Sequence, residues 1–73
     1  MDLVALMGRN IRRRRTAENL TQEEVAFRAG MKRSYLSDLE QGKRNPSVRA
    51  LGRLASALAV DPRALLTPDS RSK

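Results

Sequence analysis

Residues 21–47, TQEEVAFRAGMKRSYLSDLEQGKRNPS, decide the fold of this chain. The stretch opens with Thr21 and, three residues later, Glu24, which is the spacing of a capping box. In that motif the threonine hydroxyl and the glutamate carboxylate each accept a hydrogen bond from the other residue's backbone N–H. The motif therefore predicts that a helix is capped by Thr21, and the apolar spacing carries that helix to about Ala29.

A glycine turn separates this helix from the next one. Gly30 permits the left-handed backbone conformation that ends many helices, and Gly42 is expected to end the following helix in the same way. Two short helices joined by such a turn predict a helix-turn-helix. Five residues have the type and the spacing that this unit needs: Gln22, Ala26, Gly30, Leu36 and Leu39. The structural alternative is a helical bundle with no role in nucleic-acid binding.

Helical signals continue on both sides of this unit, and no strand pattern is found. We predict an all-α chain whose first helix runs from about Asp2 to Glu18, on an apolar stripe that includes Leu3. A fourth helix is capped by Ser47 and carries its apolar stripe at Val48, Leu51, Leu54, Ala55 and Leu58. A short fifth helix begins at Asp61–Pro62 and ends at Leu66. Residues 1–66 thus form one domain, and residues 67–73 are expected to be a short flexible tail.

Composition excludes several classes of protein. The 73 residues contain no cysteine and no histidine, which argues against disulfides, Cys/His zinc sites and histidine catalysis. The longest apolar run, residues 3–7, is too short to span a membrane, so we expect a cytoplasmic protein. We expect no cofactor, no metal and no small-molecule ligand. The net charge is +7, and residues 31–53 carry +4 of it, so the middle of the chain is where an anion such as nucleic acid is expected to bind.

The same stretch, residues 21–47, resembles the Cro/repressor-type helix-turn-helix family. The resemblance extends from about Leu6 to Leu66. It implies a compact five-helix, lambda-repressor-like domain that binds double-stranded DNA as a homodimer. The RSYLSDLE segment, residues 33–40, is also similar to the controller proteins of restriction–modification systems, which are stand-alone domains of this size.

In a fold of that kind, the N-terminal half of the third helix faces the major groove. The outward residues that we expect to contact bases are Arg33, Ser34, Tyr35, Ser37 and Asp38. Arg33 is the residue that we expect first to contact a base, because its guanidinium matches guanine O6 and N7. The alternative is that Arg33 is a solvated surface arginine with no contact to DNA. Asp38 either accepts from a cytosine amine or holds Arg33.

Phosphate contacts are expected on both sides of this helix. Gln22 begins the second helix, where backbone N–H groups favour a phosphate. Lys43, Arg44 and Asn45 follow the third helix and would position the protein without reading sequence. Lys32 stands where the family usually has a serine or threonine cap. Since lysine cannot cap a helix, a phosphate contact is the expected compensation.

Residues 12–15 are four consecutive arginines, which cannot share one helix face. Arg14 and Arg15 continue the apolar stripe of the first helix and are expected to approach the core. The resemblance implies an ion pair between Arg15 and Glu40 that ties the first helix to the third. Arg14 stands where the family more often has an apolar residue.

The C-terminal part of the domain is expected to form the dimer interface. Five short helices cannot bury every apolar residue inside one subunit, so some apolar surface is left for a partner. We assign the interface to Val60, Ala64, Leu65 and Leu66. The alternative is that these residues close the core of the monomer.

Three functions are compared. The first is a sequence-specific transcription regulator that binds an inverted repeat, with autoregulation by accumulation. The second is an antitoxin or another protein-binding regulator of the same fold, which the seven residues after Leu66 make less favoured. The third, an enzyme, is rejected because its conceivable catalytic cluster, Lys32, Ser34 and Tyr35, lies on a convex helix face.

Overall fold

The chain folds into helices along residues 2–68, the part that a computed structural model describes. The α-helices are α1 (Leu3–Ala17), α2 (Gln22–Ala29), α3 (Arg33–Glu40) and α4 (Val48–Ala57). A 3-10 helix follows at Pro62–Leu66. No residue of this part lies in a strand, so the all-helical prediction is confirmed. The fifth helix differs from the expectation, since it is a short 3-10 helix.

The helix starts are set by local side-chain caps. The capping box of α2 is complete: Glu24 N donates to Thr21 Oγ1 at 3.0 Å, and Thr21 N donates to Glu24 Oε1 at 2.8 Å. Ser47 Oγ caps α4 by accepting from Ala50 N at 3.0 Å. At the other end of α2, Gly30 adopts φ +68°, the left-handed conformation that its lack of a Cβ allows. The turn of the helix-turn-helix therefore forms where the sequence predicts it.

The core is built from buried side chains of all four α-helices and the 3-10 helix. α1 packs on α3 and on the 3-10 helix, while α2 packs on α3 and α4. The fully buried side chains include Ile11, Val25, Leu36, Leu54 and Leu65. These contacts fix the direction of α3 relative to the rest of the domain.

Gly8 allows α1 and α3 to approach closely. A Cβ at this position would lie only 2.9 Å from the carbonyl oxygen of Glu40, closer than real Cβ contacts. Any larger residue would therefore push the two helices apart. This close crossing brings the C-terminal half of α1 beside the end of α3.

Four expectations about burial are wrong. Leu3 and Val48 begin their helices on the predicted apolar stripes, yet they are 52% and 88% exposed. Arg14 is exposed and does not approach the core. Leu65, assigned to the dimer interface, is 0% exposed and closes the core of the subunit. Of the other three predicted interface residues, Val60 and Ala64 are half-buried and Leu66 is exposed.

Most of the predicted tail, residues 69–73, lies outside the described residues. Within residues 2–68, none of the helices combines the length and the apolar character needed to cross a membrane.

Candidate nucleic-acid interface

The outer face of α3 carries the residues predicted to contact bases. Arg33 and Ser34 are exposed, and Tyr35, Ser37 and Asp38 are half-buried along the same helix. Leu36 and Leu39, both 0% exposed, anchor the inner face of this eight-residue helix in the core, so the opposite face points away from it. The geometry suits insertion of a helix face into a groove.

Arg33 reaches a side chain of α2. Its Nη1 donates to Gln22 Oε1 over a long 3.4 Å, and Gln22 Nε2 donates in turn to Glu40 Oε1 at 3.0 Å. The hydrogen bond of Arg33 is thus made with Gln22 rather than with Asp38, the partner considered from the sequence. A guanidinium already oriented by a neighbour loses less side-chain entropy when it binds.

Glu40 receives the charged end of Arg15. Arg15 Nε donates to Glu40 Oε2 at 2.7 Å and Arg15 Nη2 donates to Glu40 Oε1 at 3.0 Å, a bidentate pair between α1 and α3. Arg15 Nη1 also donates to the carbonyl of Leu20 at 3.0 Å. The hydrogen bond from Arg15 to Glu40, together with the charge of that carboxylate, raises the pKa of Arg15, although burial opposes the shift.

These contacts form one chain across three helices, Arg15–Glu40–Gln22–Arg33. We call it the arginine relay. Its inner end is nearly buried, with side chains 13% exposed at Arg15 and 3% at Glu40, whereas Arg33 at its outer end is exposed. The buried end joins α1, α2 and α3, and the outer end is a longer contact to Arg33, the residue predicted first for base contact.

A second contact joins α3 to the loop that follows it. The guanidinium carbon of Arg44 lies 5.0 Å from the centroid of the Tyr35 ring, within the range of a cation–π interaction. Lys43, Arg44 and Asn45 are all exposed, as residues that contact phosphates need to be. The contact with Tyr35 therefore places the Arg44 guanidinium beside α3.

Lys32 lies at the opposite end of α3 and occupies the cap position without a side-chain cap hydrogen bond. It is exposed. Lys32 and Arg44 share the lining of a shallow depression with Ser34, Tyr35 and Asp38. Cations thus lie at both ends of the exposed face of α3, and among the described residues neither of them forms an ion pair.

Sequence reasoning missed two roles. Asn10 is 1% exposed, and its Nδ2 donates to the carbonyl oxygens of Leu65 at 2.9 Å and Thr67 at 3.0 Å. A polar residue on the apolar stripe of α1, next to Ile11, was the available signal. Gln22 was assigned to phosphate alone, whereas the structure places its side chain between Glu40 and Arg33. Helical spacing within α2 contains no signal for that contact.

Comparison with known proteins agrees with this geometry. A family model described as helix-turn-helix matches residues 11–65, which include α2, α3 and α4. The chain belongs to the helix-turn-helix family.

Its relatives include regulators and controller proteins. An uncharacterised HTH-type transcriptional regulator, y4dJ of Sinorhizobium fredii, is 50% identical over 68 residues, which are 93% of this chain and 88% of that protein. The crystal structure of the restriction–modification controller protein C.AhdI from Aeromonas hydrophila has a TM-score of 0.83 and 42% identity, and covers 85% of this chain and 94% of that one. A second structure, the controller protein C.Esp1396I as a tetramer on its natural 35 base-pair operator, has a TM-score of 0.80 and 25% identity, and covers 86% of this chain and 83% of that one.

Proposed function

We propose that this protein is a sequence-specific transcription regulator that binds double-stranded DNA as a homodimer on an inverted-repeat operator. The observation that carries the proposal is the arginine relay, which presents Arg33 on an exposed helix between the cations Lys32 and Arg44. Arginine supplies the bidentate donors that guanine accepts in the major groove. Lysine and arginine beside it match the phosphates on both sides.

Residues divide by role in this proposal. Arg33, Ser34, Tyr35, Ser37 and Asp38 face base edges, while Gln22, Lys32, Lys43, Arg44 and Asn45 hold the backbone of the duplex. Two copies would place their α3 helices in successive major grooves, with half-sites about one helical turn, ~34 Å, apart. We place the protein in the cytoplasm at the nucleoid, where it acts by binding rather than by catalysis.

The biological role that we favour is autoregulatory control of a restriction–modification system. C.AhdI, a restriction–modification controller, matches this chain over nearly its own full length. C.Esp1396I, another such controller, binds its operator as a tetramer. Because accumulation of the regulator drives self-association and operator occupancy together, a short domain of this kind can regulate its own expression without a ligand.

The first experiment is selection of binding sites from a random double-stranded pool near physiological salt, followed by fluorescence anisotropy on the selected site. Enrichment of an inverted repeat with half-sites one turn apart supports the proposal. Salt-sensitive binding without an enriched sequence contradicts it.

Two variants then separate base contacts from phosphate contacts. Arg33→Ala should weaken the selected site by about 1–3 kcal/mol and relax the preference at one position. Arg44→Ala should weaken all duplexes alike and lower the slope of log K against log salt by about one. Arg63→Ala is the matched control, because Arg63 lies on the 3-10 helix, which packs on α1 and α4. Equal losses on selected and random DNA for both test variants would contradict the assignment of Arg33.

A further inference from the structure

A second concentration of positive charge lies on α1, apart from the residues that the proposed function uses. This helix contains five arginines and no acid, whereas α3 contains one arginine and two acids. Arg15 is the arginine that pairs with Glu40. Among the other four, Arg9 and Arg12 are exposed, and within residues 2–68 neither of them forms an ion pair. The fold therefore leaves these two charges available to a ligand.

Three arginines share one face of α1. Successive residues of an α-helix are rotated by about 100°, so Arg9, Arg12 and Arg13 fall within an arc of about 100°. Arg13 is half-buried at one edge of this arc, and Arg14 lies outside it. The rise of about 1.5 Å per residue spreads the three charges over about 6 Å along the helix. We call Arg9, Arg12 and Arg13 the arginine face.

The stability of α1 does not account for this face. Arg9 lies three residues before Arg12 and four before Arg13, and at both spacings like charges repel each other on a helix surface. The helix dipole favours cations only in the last turn, where Arg14 and Arg15 lie. A cluster of like charges that weakens its own helix points to a ligand rather than to folding.

The arginine face lies near the end of α3 that is far from the predicted base contacts. α1 crosses α3 at Gly8, beside the carbonyls of Leu39 and Glu40 at the C-terminal end of α3. The predicted base contacts begin at Arg33, at the N-terminal end. A major groove is bounded by two phosphate backbones, and the proposed function assigns cations to both. The arginine face is therefore left for a different segment of DNA.

The residues around this face select among polyanions. Single-stranded nucleic acid needs aromatic side chains on which its bases stack. The chain has one Phe and one Tyr, and neither lies on α1. An anionic membrane needs large apolar side chains beside the cations. Along α1, which is described throughout, the exposed large apolar residue is Leu3, at the start of the helix. The backbone of a duplex needs cations alone.

We propose that the arginine face binds the phosphate backbone of a second segment of double-stranded DNA, so that the protein bridges two duplexes. The first duplex is the operator held at α3, and to that extent the proposal rests on the proposed function. Phosphate contacts carry no sequence information, so the second duplex can have any sequence. Its affinity falls with salt according to the number of phosphates that the face neutralises.

The test is capture of a second duplex by the operator-bound protein. An immobilised operator duplex is saturated with the full chain, and a fluorescent duplex of unrelated sequence is added over a range of salt concentrations. Arg9→Gln/Arg12→Gln, the face variant, should weaken capture at least about 10-fold near physiological salt, because two phosphate contacts are lost. It should also lower the slope of log K against log salt by about two.

The matched control is Arg14→Gln/Arg53→Gln, which removes the same charge from two exposed residues outside the face. It should capture the second duplex as the wild type does. Fluorescence anisotropy on a single short operator duplex measures the first contact, and its affinity should be the same in the two double variants. Thermal unfolding followed by circular dichroism checks that each variant is folded.

Four results would each overturn the proposal. The wild type captures no second duplex, or the two double variants capture it equally well. The face variant alone loses affinity for the single short operator, which would mean that the face contacts the flanks of that same duplex. Polyglutamate displaces the captured duplex as effectively as unlabelled DNA of equal charge, which would indicate an acidic protein as the partner.

These results are distinct from those that test the proposed function. An operator-bound wild type that captures no second duplex overturns the bridging proposal and leaves the proposed function standing. If the selection yields no specific site, the proposed function fails, and capture is then measured between two duplexes of unrelated sequence. Loss of that capture in the face variant, with none in the control, would uphold bridging by the arginine face.

Discussion

Replacing Arg15 by methionine removes one partner of a buried ion pair and leaves the other. Arg15 makes two hydrogen bonds to Glu40, at 2.7 and 3.0 Å, and a third to the carbonyl of Leu20. In the wild type the Glu40 side chain is only 3% exposed, and without Arg15 its one remaining side-chain donor is Gln22 Nε2, at 3.0 Å. The variant therefore contains a buried carboxylate with no opposite charge beside it.

The loss in the free energy of unfolding can be estimated from that geometry. Breaking a buried pair by removing one partner costs about 3–5 kcal/mol. Because Gln22 still donates to the carboxylate, we expect the lower end, about 3 kcal/mol. A domain of this length is stabilised by only roughly 4–11 kcal/mol in total. Each kcal/mol shifts the melting temperature of such a small domain by about 4–8 °C, so Arg15→Met should melt at least about 12 °C below the wild type.

The assay is urea and thermal unfolding followed by circular dichroism, with Arg15→Met, Glu40→Leu and the double variant measured together. The double variant removes both charges and fills their volume with apolar groups, so it should recover to within about 1 kcal/mol of the wild type. A loss below about 1 kcal/mol in Arg15→Met would refute this reasoning. A double variant no more stable than Arg15→Met would refute it equally.

Two further predictions concern close packing and acid. Gly8→Ala should destabilise the fold by about 1–3 kcal/mol, because its Cβ would collide with carbonyls of α3. Gly52→Ala, in open space within α4, should instead stabilise it by about 0.5–1 kcal/mol; urea unfolding compares the two, and equal effects would contradict the reasoning. Asp61 has a pKa of about 2 instead of its ordinary 3.8, because the Arg63 side chain and backbone N–H donate to its carboxylate. Since the folded pKa is the lower one, the contribution to stability is present above about pH 4 and is lost as the pH falls toward 2. An NMR titration should show the Asp61 midpoint returning toward 3.8 in Arg63→Ala, and an unchanged midpoint would contradict the cause.

The local signals of the sequence predicted the helix-turn-helix correctly. The Thr21–Glu24 box and the turn at Gly30 form as expected, because both depend on residues within a few positions of one another. The pair between Arg15 and Glu40 was implied by family resemblance rather than by spacing, and the two residues lie in contact. Roles that join distant helices, such as the position of Gln22 between Glu40 and Arg33, had no local signal.

Local signals in the sequence indicate where the helices begin and end, which side of each is apolar, and where the positive charge is concentrated. Tertiary structure decided which part of each apolar stripe is covered: Leu65 is buried, whereas Leu3 and Val48 stay exposed. It also placed the amide of Asn10 in the core and Arg14 in solvent. The physical reason is that periodicity sets the angle of a side chain around its helix axis. Whether a side chain is covered also depends on where the neighbouring helix crosses. Such crossings, like the one between α1 and α3 at Gly8, form only in the folded chain.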